Sequence, residues 1–287
     1  MNCPSVFNNE EYENVPCPLC GRRDHDVLYE QFTPYKIVRC RACKLCYLTP
    51  RKIEKIMSTV YQNEKYFAND SIGYVNYADQ ESTLRKTFRQ FMIDLKKHNL
   101  TGGALLDVGC GYGYLLEEAR GYFDVRVGID ISQKAVEFAR KKADHVYLGE
   151  LTKLPPDEKY DCIIATHVIE HIYHPNAFVK DLISYLKIGG KMIIATPYMG
   201  SFWQRLMGHR WPSFKLPEHV LFFDKRTLYY LMKQYNFSKL FFIPYSHAFP
   251  LSLVSAKLHV PVLSWFKRLT VWVPATTIAI CGVLKDE

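Results

Sequence analysis

The chain has 287 residues, 48% of them apolar and 23% charged, with a net charge of +8. That length accommodates one large α/β domain with a small appendage, and the composition excludes a disordered or fibrous chain. The mild positive charge suits an acidic partner without demanding nucleic acid.

Met1–Glu13 is polar and acidic and lacks the basic region and apolar run of a secretory signal. Nine cysteines follow an uneven distribution, six of them before residue 50. An odd count without a signal fits a reducing, cytoplasmic setting, in which clustered cysteines read as metal ligands and not as disulfides. "CPLCG" at 17–21 and "VRCRACKLCYL" at 38–48 form two knuckles. A C-x2-C pair on a tight turn points two thiolates at one spot, and two pairs complete a tetrahedron around zinc. Cys17, Cys20, Cys40 and Cys43 are the expected ligands, although Cys43 and Cys46 also make a C-x2-C pair. The site would be closed and its zinc structural. The alternating stretch between the knuckles predicts a short hairpin.

Residues 51–100 read as a helical connector. A helix is expected within 50–62, a tyrosine-rich irregular segment over 63–82, and a second helix over 82–98. Leu84, Phe88, Phe91, Met92 and Leu95 recur along that second helix at helical spacing. From residue 101 the chain alternates. Strands are predicted at Ala104–Val108, Val125–Ile129, His145–Leu148, Asp161–Ala165 and Lys191–Thr196. Helices fall between them at Tyr114–Arg120, Gln133–Ala143 and Asn176–Leu186, and "KIGGK" at 187–191 reads as a turn. Such alternation implies a parallel sheet covered on both faces. Beyond Tyr198 the pattern breaks: a helix at Lys225–Tyr235 and strands at Lys239–Ile243 and Thr277–Leu284 are expected. The charge-free stretches Leu240–Ala256 and Leu269–Leu284 are too interrupted to span a membrane.

"LLDVGCGYG" follows a strand and opens a helix, so it lies at the carboxyl edge of the sheet, where ligands bind. Its spacing is G-x-G-x-G, not the G-x-G-x-x-G of a pyrophosphate site. Asp107 beside the loop disfavours phosphate and favours a cation. Asp130 ends the next strand in "VGID", where a carboxylate can hold both hydroxyls of a ribose. A cationic nucleoside without phosphate is S-adenosylmethionine.

These motifs, with "YDCIIATHVIEHIYHP", "LKIGGKMIIATP" and "PEHVLFFDKRTLYYLMKQYNF", resemble class I S-adenosylmethionine-dependent methyltransferases over residues 105–243. Within that superfamily the chain is similar to the branch with "EH" after the fourth strand, which includes ubiquinone-type O-methyltransferases and glycan-pathway enzymes. The resemblance implies a Rossmann-like doubly wound α/β sheet with a small N-terminal zinc ribbon at 1–50. It implies a methyltransferase domain at 101–287 and a C-terminal substrate lid at about 198–270. By position it puts Asp107, Gly109 and Gly111 at the methionine end and Asp130 at the ribose, with Cys110, Gly113 and Ile131 also among the cofactor-binding residues. Glu150 and Leu151 would flank the adenine, although the family more often has Asp where Glu150 stands. His167 would face the methionine and the substrate.

"THVIEHIYH" gathers His167, Glu170, His171 and His174, and "WPSFKLPEHV" adds Trp211, Glu218 and His219. Three roles compete. His171, His219 or His167 can serve as general base. His167, Glu170, His171 and His219 have the donor types for a second, divalent metal ion that would bind a diol or catechol-like acceptor. Alternatively, Glu170 and His171 only orient the loop. Trp211, His219 and Glu170 are candidate substrate contacts.

The expected reaction is O-methylation of a sugar, glycolipid or quinone-like phenol. The region from Ser201 carries Phe202, Trp203 and Trp211 among basic residues. It suits a small-molecule or lipid-linked acceptor and peripheral contact with a membrane. Two other readings stand beside it: an RNA methyltransferase that uses the ribbon for RNA contact, and a non-catalytic zinc-ribbon binding protein. The ribbon region is not strongly basic, and no known RNA-binding module appears. The intact glycine loop disfavours the non-catalytic reading. The acceptor's identity and the oligomeric state are not encoded in any motif.

Overall fold

The computed structural model describes residues 11–62, 80–258 and 269–285. Of the tyrosine-rich segment expected over 63–82, residues 63–79 lie outside them, and Glu81 and Ser82 already belong to the following helix. The N-terminal part holds β1 (Tyr12–Glu13), β2 (His25–Phe32), β3 (Tyr35–Cys40), β4 (Cys46–Leu48), β5 (Arg51–Lys52) and α1 (Glu54–Gln62). The chain continues with α2 (Glu81–Lys97), β6 (Ala104–Val108), α3 (Tyr114–Glu118), β7 (Val125–Asp130), α4 (Gln133–Ala139) and β8 (His145–Leu148). It returns through β9 (Tyr160–Thr166), α5 (Pro175–Ser184), β10 (Leu186–Pro197), α6 (Phe202–Met207) and β11 (Leu221–Phe222). Then come α7 (Lys225–Lys233), β12 (Phe237–Ile243), β13 (His247–Pro250), α8 (Leu251–Leu258), β14 (Thr270–Val273) and β15 (Thr277–Leu284).

The main sheet has seven strands in the order β12-β15-β10-β9-β6-β7-β8. β6 to β10 are parallel, and β15 runs antiparallel to both β10 and β12. The strands alternate between two cores, as period-2 side chains must. Leu105, Ile164, Ile193 and Ala279 face α2 and α3, while Leu106, Ile163, Ile194 and Ile280 face α5, α7 and the cysteine-rich strands. Burial on both faces explains the near-continuous apolar runs of the parallel strands. α2 buries Phe88, Phe91, Met92 and Leu95. α7 starts on a capping box in which the Asp224 carboxylate accepts from the Thr227 amide at 2.7 Å.

Some boundaries differ from expectation. "KIGGK" runs within β10, where the register with β9 shifts between Leu186 and Lys191 and Gly189 adopts φ 72. α4 stops at Ala139, four residues short of the predicted end. Its last residue, Ala139, packs against Gly113. The hairpin β13–β14 and the strand β11 were not expected. β11 is the outer strand of a four-stranded sheet in the order β11-β4-β3-β2, so a segment after the parallel sheet completes the N-terminal one.

From β6 the chain winds outward to β7 and β8, then returns to β9 on the other side of β6. That reversal opens a crevice beyond the carboxyl ends of β6 and β9, the place where such sheets bind ligands. Among the described residues, no helix is long and apolar enough to cross a membrane.

Candidate active site

A cavity of about 760 Å³ occupies this crevice, within the size range of ligand sites. Its floor is the loop after β6. Gly109 has φ 70, and a Cβ there would lie 2.5 Å from a Val168 methyl. Only glycine lets this loop pass against the turn after β9. Gly113 also has a positive φ of 74, for a different reason: a Cβ would meet the Ala139 backbone at 3.0 Å. Gly109, Cys110 and Gly111 line the cavity and Gly113 does not. The Cys110 side chain is buried against Gly128, so its contribution to the wall is backbone.

Two acids stand beside the loop. Asp130 is 8% exposed. Its Oδ2 accepts from the Gly111 amide at 2.8 Å and its Oδ1 from the Ser132 amide at 2.9 Å. Burial raises its carboxyl, and those amides counter part of the rise. Asp107 is 1% exposed and its Oδ1 has no hydrogen-bond partner. Burial first, and then the charge of Asp130, push the Asp107 carboxyl well above the usual range. A buried carboxylate oxygen left unpaired calls for a donor, and a cation satisfies it best. At the far end, Ile131, Glu150 and Leu151 line the wall beyond β7 and β8.

On the other side of the loop, His167 follows β9 with φ 56, an unusual conformation for a residue with a side chain. The turn brings its Nδ1 within 3.2 Å of Glu170 Oε1, while the Thr196 hydroxyl donates to Glu170 Oε2 at 2.9 Å. Glu170 is 1% exposed. Burial alone would raise its carboxyl, but the His167 hydrogen bond leads the opposing effects and holds it at about 2, so it is ionised. His171 Nδ1 donates to the Glu218 carbonyl at 3.1 Å and His219 Nδ1 to the Ser213 carbonyl at 2.8 Å. A carbonyl can only accept, so each ring carries its proton on Nδ1 and its lone pair on Nε2. Burial lowers both histidines, His219 the further, and keeps the rings neutral. The rings meet edge to face at 4.7 Å. One ligand atom each from Glu170, His171 and His219 lies within 4.8 Å of the others. His167 falls outside that group, and the exposed His174 instead faces Glu54 at 3.7 Å.

Residues 80–240 match the family model described as a methyltransferase domain. The chain belongs to this methyltransferase-domain family. It is 29% identical over 135 residues to a ubiquinone biosynthesis O-methyltransferase of Bradyrhizobium diazoefficiens, covering 45% of this chain and 49% of the relative. A similar protein from Rhodopseudomonas palustris is 30% identical over 123 residues, covering 41% and 45%. The chain thus spans about half the length of the curated relatives it matches. A SAM-dependent methyltransferase from Thermotoga maritima superposes with a TM-score of 0.53 at 19% identity, over 74% of this chain and 96% of that one. Magnesium protoporphyrin IX methyltransferase from Synechocystis, solved with bound SAH, gives 0.52 at 15% identity, over 81% and 100%. The fold is that of class I S-adenosylmethionine-dependent methyltransferases.

The methyltransferase cavity has walls that sequence reasoning missed. His247 and Phe249 on β13 stack at 4.3 Å and 9° and line it. Burial drives His247 down to about 3, so this ring is neutral. Thr276 also lines the cavity, and its hydroxyl is buried without a partner. The signal for β13 was the alternation of Tyr245, His247 and Phe249. Trp211, a candidate substrate contact, does not line the cavity: it is buried and packs edge-on against Phe214 at 5.1 Å. Glu218 contributes its carbonyl to His171 and is also absent from the wall.

Away from the methyltransferase cavity, Cys17, Cys20, Cys40 and Cys43 bring their sulfurs within 4.8 Å of one another. The pairs Cys17–Cys43 and Cys20–Cys40 are 3.5 Å apart. That is far beyond a disulfide and close to the ~3.8 Å edge of a tetrahedron with 2.3 Å zinc–sulfur bonds. The two knuckles repeat one backbone design. The amide of Gly21 bonds the Cys17 carbonyl and that of Lys44 bonds the Cys40 carbonyl, at 2.8 and 3.1 Å, both with positive φ. Cys46 lies on β4 outside the cluster.

Proposed function

We infer that this chain transfers the methyl group of S-adenosylmethionine to a small-molecule acceptor, at oxygen. The observation that carries this reading is Asp107 Oδ1, a buried unpaired carboxylate oxygen at the cavity floor. It suits the ammonium group of the methionine end. Asp130 would accept the ribose hydroxyls on lone pairs that its two amide partners leave available. Glu150 and Leu151 would flank the adenine. When bound, S-adenosylmethionine supplies an electrophilic methyl group on a sulfonium.

The chain's own residues supply alignment and a proton acceptor. The hydrogen-bonded loop at 109–111 and the turn at 167–168 would fix one side of the approach, and holding nucleophile and methyl in line provides much of the rate. The lone pairs on Nε2 of His171 and His219 can take the acceptor's hydroxyl proton. Four cysteines in tetrahedral spacing support a structural zinc ion at the knuckles.

A second reading of the histidines is favoured by their Nδ1 bonds. Metal-bound histidines characteristically donate their other ring nitrogen to a carbonyl, as His171 and His219 do. A divalent ion held by Glu170, His171 and His219 would lower the pKa of an acceptor hydroxyl. Purified protein incubated with methyl-labelled S-adenosylmethionine and fractionated extract tests the main reading. Label should enter the small-molecule or lipid fraction; label in RNA would refute it. Loss of transfer after dialysis against chelator, restored by a divalent ion other than zinc, would select metal over base.

A further inference from the structure

We propose that the cysteine knuckles brace the acceptor half of the cavity, so that the metal they hold determines the position of His219 and the backbone of Glu170 while leaving the cofactor half untouched. The proposal rests on the zinc reading above and is carried by a continuous hydrogen-bonded path. Cys43 ends three residues before β4. β4 pairs with β11, with Leu221 opposite Tyr47 and Phe222 opposite Cys46. The ladder extends one bond further, from the Leu48 amide to the Val220 carbonyl at 2.9 Å. Val220 in turn donates its amide to the Glu170 carbonyl at 2.8 Å. His219 is the residue between Val220 and Glu218, whose carbonyl receives the His171 ring. Both cavity-lining histidines are therefore referenced to the edge of the cysteine-rich sheet.

Other contacts lock the same two bodies. Asn176, at the start of α5, donates to the Leu19 carbonyl inside the first knuckle at 3.1 Å. Tyr173, on the cavity wall, donates to the Lys52 carbonyl at 2.7 Å, and the Arg51 guanidinium lies 4.1 Å over its ring. Tyr47, Leu48, Leu221 and Phe223 are fully buried in one shared core. The same core reaches Leu106 and Val108 beneath the glycine loop, but no hydrogen bond among the described residues joins the knuckles to that loop: the floor at 109–111 is tied to Ile129 and Asp130 instead. A ribbon built only to meet a partner would not need its β4 strand buried beneath the catalytic domain.

The test uses the full-length protein. Its metal is first counted by elemental analysis, then released with a mercurial thiol reagent and chelator, and restored with thiol and zinc. Backbone hydrogen exchange is read at 46–48, 218–222 and 105–111, and affinity for S-adenosylhomocysteine is measured by calorimetry. Release should lower protection at 46–48 and 218–222 by about tenfold or more, while protection at 105–111 and affinity stay within about twofold. Zinc should restore both. Metal-free purified protein would overturn the zinc reading. Metal present with unchanged protection at 218–222 would overturn the brace alone. Equal loss at 105–111, with loss of affinity, would overturn the division into two halves. None of these readings depends on turnover, so they stand apart from failure of the methyl-transfer proposal.

Discussion

Replacing Asp130 with asparagine separates loop fixation from ligand binding. In the native chain the two carboxylate oxygens each accept one backbone amide, from Gly111 and from Ser132. Asparagine retains one acceptor oxygen and turns an NH2 group toward the other amide. One buried N–H is left unpaired, costing roughly 1–3 kcal/mol, and the remaining bond loses its charge assistance. Part of this is offset, because the buried carboxylate was itself disfavoured, as its raised pKa records. A net loss of about 2 kcal/mol is expected, read as a lower urea midpoint at unchanged slope. A ribose held by this group would lose one charged acceptor worth about 2 kcal/mol, or about 30-fold in affinity for S-adenosylhomocysteine by calorimetry. Reduced stability with affinity within about twofold would refute the ribose assignment and leave Asp130 a loop anchor.

Affinity for S-adenosylhomocysteine, which carries the same ammonium, should depend on pH through Asp107. Burial and Asp130 raise its pKa in the free protein, and an ammonium beside it lowers the pKa in the complex. Binding therefore releases a proton, affinity climbs as pH rises toward the free-protein pKa, and it is flat above; Asp107→Asn should abolish the slope. Gly113→Ala should destabilise the fold by about 2 kcal/mol through its left-handed backbone and the Ala139 contact. Because Gly113 is off the cavity wall, calorimetric affinity in the folded variant should barely change. Lys44→Gly should raise the urea midpoint by about 1 kcal/mol equivalent, since Lys44 holds φ 69 where the matching knuckle has Gly21. An unchanged or lower midpoint would count against strain at that turn.

Much of the fold was legible because its signals are local. The parallel strands are buried on both faces and read as apolar runs, and β15 fell on its predicted residues, Thr277–Leu284. The glycine loop was legible because close backbone approach and left-handed angles admit few residue types. The histidines were recognisable as a cluster, but their pairing was not. Whether His167 or His219 joins Glu170 and His171 depends on a turn of positive φ after β9 and on a strand some fifty residues later. β11 is only two residues long, too short for any periodicity, and its role is set by the partner strand it meets. Trp211 looked like a binding aromatic because composition cannot tell a lid from a core. Its contact with Phe214 decides the matter.

β15 carries a consequence for the order in which the molecule can be built. It fills the slot between β10 and β12, yet it follows both in the chain by tens of residues. During synthesis from the N-terminus, β6 to β10 can pair as they emerge, but one side of β10 stays open until residues 277–284 arrive. For that interval β10 and β12 each present a row of unpaired amides and carbonyls, the template on which neighbouring chains join edge to edge. A ribosome stalled shortly before residue 277 would hold the parallel strands with the facing edges of β10 and β12 uncovered.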